Sequence, residues 1–550
     1  MNIRCLFCKG RLHCGRPYCP IAAKISHLKR MASTLKEEYE GEAPNIFVGR
    51  YGYPNVNVGV LSVEQYKDHD APEKWSKKWY SINQVIGLRE ELINSGKKLG
   101  ISSPAGRSQF KRLRDVVENI SQKESYMNSD SDLDDIHASN QNKARRNNTS
   151  PDKTNLDKIG QNKIDRDRIF RNKDTFGSRI TGSVRLKDSN SNNNSKFTQE
   201  LKEIAMARKP AEVEVKLEGL PKPRLSFDQY IAPTNLNAGL SRLNIIANTK
   251  INRAVDKVAE QDDMRASSAV DYLMKKGYNQ YSIQRLLAGG VLGTKSQRRF
   301  VPTRWSITAT DDIMGRKIKA RISDYKKADY RVYFGGHMGN YYLIMFFPAP
   351  FAYELYEMAI EGNEKGNRMG NRIDNIMENR SGDRIGDNMW NRTENRTGNQ
   401  ESGSDSFSKD SDSWDNGGFL DKRGLVVPRY VRDYEGFRGR KDYAEDTAGG
   451  YYAARLSILQ KLDEIKRTAS VLALRFVTKE YWAPLGVWVV REAVKKALEG
   501  RGIGFDSQEL MLEYSGSLAT RKFGVDVKKL LSNSFILNDA LKQKTLDGFS

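Results

Sequence analysis

Hydrophobic and polar residues alternate over several short stretches of this chain, and a period of two is typical of β-strands. Residues 56–60 alternate valine with polar or small residues and predict one strand. Residues 331–334 predict another. The apolar run 341–347, which ends before Pro348, predicts a strand that is buried on both faces. The glycines that we expect to form tight turns around the first strand are Gly49, Gly52 and Gly59.

Other stretches place apolar residues three and four positions apart, which is typical of amphipathic helices. This pattern predicts helical segments within residues 21–39, 251–276, 449–466 and 488–498. Since predicted strands and helices are interspersed, the sequence favours a mixed α/β fold of the α+β type. The part from residue 420 to residue 540 is predicted to be mainly helical.

Two long polar segments interrupt this pattern. Residues 121–199 are dominated by Asn, Ser, Asp, Lys and Arg, and residues 361–419 repeat short units such as Gly366-Asn367-Arg368. Because such segments bury too little apolar surface to offset the entropy of ordering, we predict two disordered insertions. The Asn-Arg repeats could alternatively contact nucleic acid, although a solvated linker accounts for their composition more simply.

The length of 550 residues suggests two or more domains. The patterns above divide the chain into a cysteine-rich knuckle at 1–20, an α/β domain at 21–360 that contains the insertion 121–199, a linker at 361–419, a second domain at 420–540 and a tail at 541–550.

The chain is strongly basic, with a formal net charge of +22 at pH 7. This charge favours an anionic partner, and nucleic acid is a better candidate than an acidic membrane surface because lysine and arginine release counterions from phosphates. The N-terminus lacks the apolar core of a signal peptide, and no apolar run is long enough to span a bilayer. We therefore expect a cytoplasmic, nucleoid-associated protein with no membrane partner.

All four cysteines of the chain lie within 15 residues near the N-terminus. Their spacing is C-x₂-C-x₅-C-x₄-C, and a reducing cytoplasm disfavours disulfides between them. Four thiolates suit the tetrahedral coordination of Zn²⁺, so we predict a zinc knuckle with Zn²⁺ as its cofactor. An iron–sulfur cluster is the alternative. His13 could replace one cysteine, but we favour a residue of the basic surface there, because four cysteines already complete the shell. The predicted ligands are Cys5, Cys8, Cys14 and Cys19.

The last eight residues contain the pattern Q-x-x-L-x-x-F, which resembles the peptide that binds the sliding clamp PCNA, the PIP box. A single 3₁₀ turn would place Leu546 and Phe549 on one side as an apolar plug, while Gln543 would supply an amide for hydrogen bonds. Ser550 stands where a second aromatic residue usually completes this motif. The alternative is a tail whose apolar residues fold back on the domain.

Three long stretches of the chain resemble the archaeal Nre family of DNA-repair proteins. They are residues 45–59, 293–312 and 433–455. The resemblance implies a role in the DNA damage response, a zinc-finger-like N-terminus and binding to PCNA through the C-terminal peptide. The two predicted insertions lie outside it.

Residues 295–331 combine eleven lysines and arginines with four aspartates and interleaved aromatic residues. Basic side chains bind backbone phosphates and aromatic rings stack on exposed bases, so we predict DNA binding there. Phe300 and Trp305 could instead be core residues, and we expect at least Trp305 to be buried. The candidate DNA-binding residues are Lys295, Arg298, Arg299, Arg304, Arg316 and Lys317.

Candidates for catalysis are weaker. Residues 289–296 nearly form a phosphate-binding loop, but a threonine interrupts the required glycine-lysine pair. Asp311 and Asp312 could bind a metal, although we favour acidic residues in the first turn of a helix capped by Thr308 or Thr310. His337 is expected in a turn between strands, and residues 433–443 could form either a phosphate-binding loop or a salt-bridged surface loop.

We predict an accessory repair factor that binds DNA and PCNA. The alternative is a metal-dependent nuclease that uses Asp311, Asp312 or Glu435.

Overall fold

The computed structural model of this protein describes residues 18–102, 185–186, 191–225, 234–360, 419–420, 426–428, 430–440 and 442–542. The described residues from Tyr18 to Ala320, together with Pro484–Gly486, form one compact unit, and those from Arg321 to Ala483 and from Val487 to Lys542 form a second. Most of the two predicted insertions lies outside the described residues. Within the described residues, no helix has the length and apolar character needed to cross a bilayer.

The first unit is built on strands β1 (Glu38–Val48), β2 (Asn55–Val63), β3 (Ile93–Ser102), β4 (Arg185–Leu186), β5 (Ala211–Leu217), β6 (Lys222–Leu225) and β7 (Thr234–Ile245). Its described helices are α1 (Pro20–Thr34), α2 (Pro72–Lys77), α3 (Ile82–Glu91), α4 (Ser191–Met206), α5 (Arg253–Glu260), α6 (Ala266–Lys275), α7 (Gln280–Ala288) and α8 (Thr303–Ile322). The strand order is β4-β3-β2-β1-β5-β7-β6, and β3 also pairs with β7.

That additional pairing closes five of the strands into a barrel. β1 pairs with β2 through its second half and with β5 through its first half, both antiparallel. β2–β3 and β5–β7 are antiparallel as well, whereas β3 and β7 run parallel where the ring closes. Helix α4 lies between the third and fourth barrel strands in sequence, and its apolar side chains join the barrel core. This order and these directions are those of the OB-fold.

The sequence patterns of the first unit are largely confirmed. Val56, Val58 and Val60 are inward-facing core residues of β2. Gly52 occupies a turn with a left-handed φ of 78°. The turn predicted at Gly59 is wrong: this glycine lies inside β2, where a Cβ would come within 1.7 Å of the Ser95 carbonyl oxygen. The predicted helix 21–39 is also too long, because Tyr39 already belongs to β1.

The second unit contains a six-stranded sheet in the order β13-β10-β14-β9-β8-β15. Its strands are β8 (Tyr330–His337), β9 (Asn340–Phe347), β10 (Tyr353–Ala359), β13 (Tyr430–Glu435), β14 (Ser470–Val477) and β15 (Ile503–Phe505); β11 (Phe419–Leu420) and β12 (Val426–Val427) form a separate pair. The helices are α9 (Ala448–Glu464), α10 (Trp488–Ala497), α11 (Gln508–Phe523), α12 (Lys528–Leu531) and α13 (Phe535–Lys542).

Strand β14 is the centre of this sheet, and all eight of its residues are buried. It pairs in parallel with β10 and antiparallel with β9, which confirms the strand predicted at 341–347. The helices predicted at 449–466 and 488–498 correspond to α9 and α10. The mixed α/β class is therefore confirmed. The sheet also spans the boundary predicted at residue 360, because β10 and β13 pair directly with one another.

Candidate nucleic-acid interface

The turn between β1 and β2 presents an exposed aromatic and a basic side chain together. The Arg50 Nη2 atom donates a hydrogen bond of 2.9 Å to the Tyr51 hydroxyl. The Arg50 guanidinium carbon lies 4.7 Å from the centroid of the Tyr51 ring. Tyr51 is nevertheless 57% exposed. One face of this aromatic ring is therefore covered by a cation, and a large part of its surface remains accessible to solvent.

The same turn is attached to the first turn of α8. Tyr53 and Trp305 make an edge-to-face ring contact with centroids 5.2 Å apart. The Val48 amide donates a 3.0 Å hydrogen bond to the Thr303 hydroxyl. Trp305 is half-buried rather than fully buried as predicted, whereas Phe300 is a core residue. Aromatic and basic groups from distant parts of the sequence thus meet at one end of the barrel.

Arg298 stabilises the fold through hydrogen bonds from its guanidinium to backbone carbonyls. Its guanidinium donates to the carbonyl oxygens of Gly293, Val258, Ala259 and Gln261, three of which belong to the C-terminal end of α5 or the residue after it. Unpaired carbonyls at a helix end attract such a cation. Arg298 also lies 3.5 Å from Asp262. Since its donors are used within the protein, we do not assign Arg298 to a phosphate contact.

Arg299, the next residue, is in a different environment. The residue is only 7% exposed. Its Nε donates 2.9 Å to the Gln297 carbonyl, but Nη1 and Nη2 are buried and have no hydrogen-bond partner among the described residues. Burial lowers the pKa of the Arg299 guanidinium to about 10, and the nearby Tyr53 opposes this shift. A buried guanidinium with two unsatisfied nitrogens is suited to an anion that accepts two hydrogen bonds.

The other predicted DNA-binding residues are spread over this unit. Lys295 is exposed and lies 3.0 Å from Asp262. Arg316 pairs with Asp312 at 2.8 Å on the surface of α8. Arg304 and Lys317 are half-buried residues of the same helix, with Arg304 next to Trp305. Of the predicted set, Arg299 interacts with Tyr53 of the turn, and Arg304 precedes Trp305, which contacts Tyr53.

The outer face of β2 and β3 continues from the turn. Val56 and Val58 face the core, so Asn55 and Asn57 face outward, opposite Gly100 and Lys98 of β3. Asn55, Asn57 and Lys98 are exposed. In OB-folds, the face of the second and third barrel strands and the loop between the first and second strands bind oligonucleotides. The Arg50–Tyr51 turn is that loop in this chain.

The predicted nuclease residues are not arranged as an open metal site. The helix α8 begins at Thr303, so the predicted cap at Thr308 or Thr310 is wrong, and Asp311 and Asp312 lie in the middle of the helix, where both are buried. Glu435 is a buried residue of β13 whose Oε1 accepts a 2.8 Å hydrogen bond from Arg455 Nε. No group of three or more potential metal ligands occurs among the described residues.

Asp433 and Arg440, from the predicted loop 433–443, belong to a network of ion pairs and hydrogen bonds that includes Thr447. Asp433 Oδ2 accepts hydrogen bonds from the Thr447 amide and hydroxyl at 2.7 and 2.8 Å, and Asp433 Oδ1 lies 2.8 Å from Arg440. Arg440 also donates to the carbonyls of Tyr434 and Tyr443. These charges connect β13 to the start of α9. Asp433 and Glu435 are therefore engaged in structural contacts.

Of the four remaining predicted sites, two are among the described residues and two lie mainly or wholly outside them. The loop 289–296 follows helix α7 and leads into a 3₁₀ turn at Lys295–Gln297, whereas a phosphate-binding loop connects a strand to a helix. His337 is the last residue of β8 and is buried. Cys5, Cys8 and Cys14 lie outside the described residues, as do Gln543, Leu546 and Phe549.

Cys19 is the one described member of the cysteine cluster, and it is the N-cap of α1. Its Sγ accepts a hydrogen bond of 3.4 Å from the Ala22 amide. The other three predicted ligands lie outside the described residues, so the zinc knuckle stays a prediction from the cysteine spacing.

Fold and surface together define a barrel protein of the OB type with a basic and aromatic edge. Comparison of the whole sequence then assigns the chain: it belongs to the archaeal Nre family. The family model "Archaeal Nre, N-terminal" matches residues 13–151 and 166–363, and "Archaeal Nre, C-terminal" matches residues 435–549.

Curated relatives extend over most of the chain. It is 27% identical over 508 residues to the "DNA repair protein NreA" of Archaeoglobus fulgidus, covering 92% of this chain and 91% of the relative. It is 25% identical to the NreA of Haloferax volcanii, covering 86% and 83%, and 25% identical to the "DNA repair protein NreB" of A. fulgidus, covering 98% of each. A search of solved structures finds no significant match.

Sequence reasoning missed Arg50, Tyr51, Asn57 and Lys98 as candidate binding residues. The sequence feature that indicates nucleic-acid binding here is the run Arg50–Tyr53, which combines one arginine and two tyrosines within a turn. In the sequence, this run is also part of the stretch that resembles the Nre family. The suitability of this run for binding nucleic acid becomes apparent in the fold, where it lies beside Trp305.

Proposed function

We propose that this chain is a DNA-repair protein that binds DNA through the edge of its barrel and is recruited by the sliding clamp PCNA. The observation that carries the DNA-binding part is the exposed Tyr51 ring stacked with Arg50 in the loop that OB-folds use for oligonucleotides. The repair role is supported by three curated relatives that are named DNA repair proteins. The net charge of +22 fits a polyanionic partner.

The contacts that we assign to DNA are a subset of those predicted from the sequence. Arg299 would hold a phosphate with its two unsatisfied nitrogens, and Arg304 lies on the first turn of α8 beside Trp305. Lys295, Arg316 and Lys317 would contribute long-range attraction, because their positions on the surface of the same unit leave the charge near solvent. Arg298 serves the fold.

The N-terminal cysteines would hold one Zn²⁺. Four thiolates complete a tetrahedral shell, and zinc at such a site supplies structural stability rather than redox chemistry. The support is the spacing of Cys5, Cys8, Cys14 and Cys19. This knuckle would order the residues that precede α1.

The C-terminal tail would bind PCNA. Leu546 and Phe549 would enter an apolar pocket of the clamp. Gln543 would enter a neighbouring polar pocket. The support is the match of the last eight residues to the PIP pattern. A clamp that encircles DNA would bring the basic barrel to its substrate, and a cytoplasmic, nucleoid-associated location follows from both partners.

Deletion of the gene tests the repair role. A strain that lacks this protein should survive ultraviolet irradiation or a DNA cross-linker less well than its parent. A plasmid encoding the full chain should restore survival, while a chain ending at Leu541 should restore it only in part. Equal survival of the deletion strain and its parent would contradict the proposal.

A nuclease assay addresses the alternative function. The protein should leave single- and double-stranded DNA intact in the presence of Mg²⁺ or Mn²⁺, because Asp311, Asp312 and Glu435 are buried. Cleavage that disappears in Asp311→Ala would establish the nuclease instead.

A further inference from the structure

The barrel edge carries the features of a single-strand binding surface rather than a duplex-binding one. A duplex hides the faces of its bases within the stack, so an exposed aromatic ring gains little from it, whereas an unpaired base can stack on such a ring. Tyr51 is exposed at the tip of the β1–β2 turn, and Arg50 on its ring adds a cation next to the stacking position. The second ring pair, Tyr53 and Trp305, lies at the base of the same turn.

The adjoining strands offer groups that recognise base edges. Asn55 and Asn57 point outward from β2. A Cβ at Gly100 would lie 3.0 Å from Asn55 Oδ1, and one at Gly96 would lie 3.2 Å from Asn57 Nδ2. Because β3 has glycine at both positions, neither amide meets a β-carbon there. Amide groups can pair with Watson–Crick edges, which only an unpaired strand exposes.

The positive charges near this surface suit the sugar-phosphate backbone of one DNA strand. Lys98 is exposed opposite Asn57, and the Arg299 guanidinium lies near Tyr53 with two buried nitrogens that have no partner among the described residues. A flexible single strand can adjust its backbone to these separate cations, whereas the phosphates of a duplex are held at a fixed spacing.

We propose that this barrel binds single-stranded DNA, with bases stacking on Tyr51, base edges contacting Asn55 and Asn57, and backbone phosphates held by Lys98 and Arg299. This inference rests on the proposed DNA-binding function and names its substrate class. Such a strand is the intermediate that excision, resection or a stalled fork generates, so the protein would act after another activity has opened the duplex.

Fluorescence anisotropy of the full chain tests the proposal. The probes are a labelled oligo-dT of roughly 20 nucleotides, a length that covers one or more OB-fold sites, and a blunt duplex of the same length. The wild-type protein should bind the single strand at least about tenfold more tightly. Tyr51→Ala should weaken single-strand binding roughly 5- to 100-fold, since stacking of one base contributes about 1–3 kcal/mol.

Matched controls separate this surface from general effects. Phe437→Ala removes an aromatic side chain that is 65% exposed in the second unit and should leave affinity unchanged. Lys216→Ala removes an exposed lysine from β5 of the same barrel. Lys98→Ala should lower the slope of log affinity against log salt by about 0.7, as loss of one phosphate contact on a single strand requires, and Lys216→Ala should not.

The outcomes distinguish this inference from the function on which it rests. Equal or tighter binding of the duplex, or an unchanged single-strand affinity in Tyr51→Ala, would overturn the single-strand proposal and leave DNA binding standing. If neither DNA binds at low salt, both proposals fail.

Discussion

Arg298 and Arg299 are neighbours in the sequence with opposite environments: the first donates to four backbone carbonyls, and the second leaves two buried nitrogens unpaired among the described residues. The difference arises because successive side chains of this extended segment point in different directions. One meets the C-terminal end of α5, and the other lies near Tyr53. Two identical residues therefore differ in environment: Arg298 uses its donors within the fold, and Arg299 is a buried cation with two unpaired nitrogens among the described residues.

Replacement of Arg298 should destabilise the protein. Arg298→Ala removes the donors from four carbonyls, and we expect a loss of about 2–4 kcal/mol in the free energy of unfolding, since hydrogen bonds to charged groups contribute about 1.5–3 kcal/mol each but overlap here. Denaturant melts measure the change. Lys295→Ala, an exposed residue of the same segment that is 78% accessible, should change it by less than about 0.5 kcal/mol. Equal effects would mean that the carbonyl contacts contribute nothing.

Replacement of Arg299 should have the opposite effect on stability. Arg299→Met removes a buried charge with incomplete hydrogen bonding, so the free protein should gain about 1 kcal/mol. Inorganic phosphate should raise the melting temperature of the wild type above that in chloride at equal ionic strength, and it should do so less in the variant. A variant that melts lower than the wild type and responds equally to phosphate would show that the guanidinium is satisfied within the protein.

Two glycine-to-alanine changes should have opposite effects on the free energy of unfolding. At Gly59 a Cβ would lie 1.7 Å from the Ser95 carbonyl oxygen of the neighbouring strand, so Gly59→Ala should cost more than about 4 kcal/mol and prevent closure of the barrel. At Gly87, within α3, nothing lies within 4 Å of the added Cβ. Gly87→Ala should therefore stabilise the helix by about 0.5–1 kcal/mol. Thermal melts distinguish the two, and a folded Gly59→Ala protein of normal stability would contradict the β2–β3 register.

His337 should make the protein sensitive to mild acid. Burial, assisted by Lys496 and opposed by Glu492, lowers the pKa of His337 to about 4 from its usual 6.5. Because the folded-state pKa is depressed, the stability associated with the neutral ring is fully present above about pH 6.5 and is lost as the pH falls toward 4. The loss amounts to about 3 kcal/mol at most. His337→Gln should flatten the stability profile between these values, and parallel profiles of the two proteins would rule out this histidine.

The tail should be needed for the clamp and dispensable for the fold. Leu546→Ala or Phe549→Ala should weaken PCNA binding about tenfold to a hundredfold, because burial of one apolar side chain contributes roughly 1.5–3 kcal/mol. Gln543→Ala should cost less, since a net hydrogen bond contributes about 0.5–1.5 kcal/mol. A chain that ends at Leu541 should keep its melting temperature and DNA affinity. Clamp binding that survives this truncation would show that the terminal pattern is accidental.

Zinc should be present at one ion per chain. Elemental analysis of the purified protein measures it, and Cys8→Ser should remove it, because three thiolates bind the ion far more weakly than four. Iron together with a brown colour would instead identify an iron–sulfur cluster.

The sequence predicted those elements whose hydrophobic period is undisturbed. Strand β9 was found because all its apolar residues face buried surfaces, and α9 and α10 because their apolar residues recur at helical spacing. The start of α8 was missed because polar residues such as Thr308, Thr310 and Asp311 are buried in its interior and resemble a cap in the sequence. Burial of these groups depends on packing that no local pattern records.

The candidate interface could be predicted only in part. Its positive charge is visible in composition, and the aromatic residues are visible in the segment 295–331. Closure of the barrel requires residues 93–96 to pair with residues 236–239, and the contact of Tyr53 with Trp305 joins residues that are still farther apart in the sequence. Which arginine is free to meet a ligand is decided by that tertiary arrangement, since Arg298 and Arg299 are chemically identical.

The position of β14 between β9 and β10 has a consequence for synthesis of the chain. Strands β9 and β10 leave the ribosome well before β14, from which they are separated by more than a hundred residues. Because translation adds about 5–20 residues per second, β14 is synthesised on the order of ten seconds after the two strands that it joins. During that time the apolar edge of β9 has no partner on its β14 side. Nascent chains should therefore depend on a holding chaperone, and newly made protein should aggregate more readily than protein that has already folded.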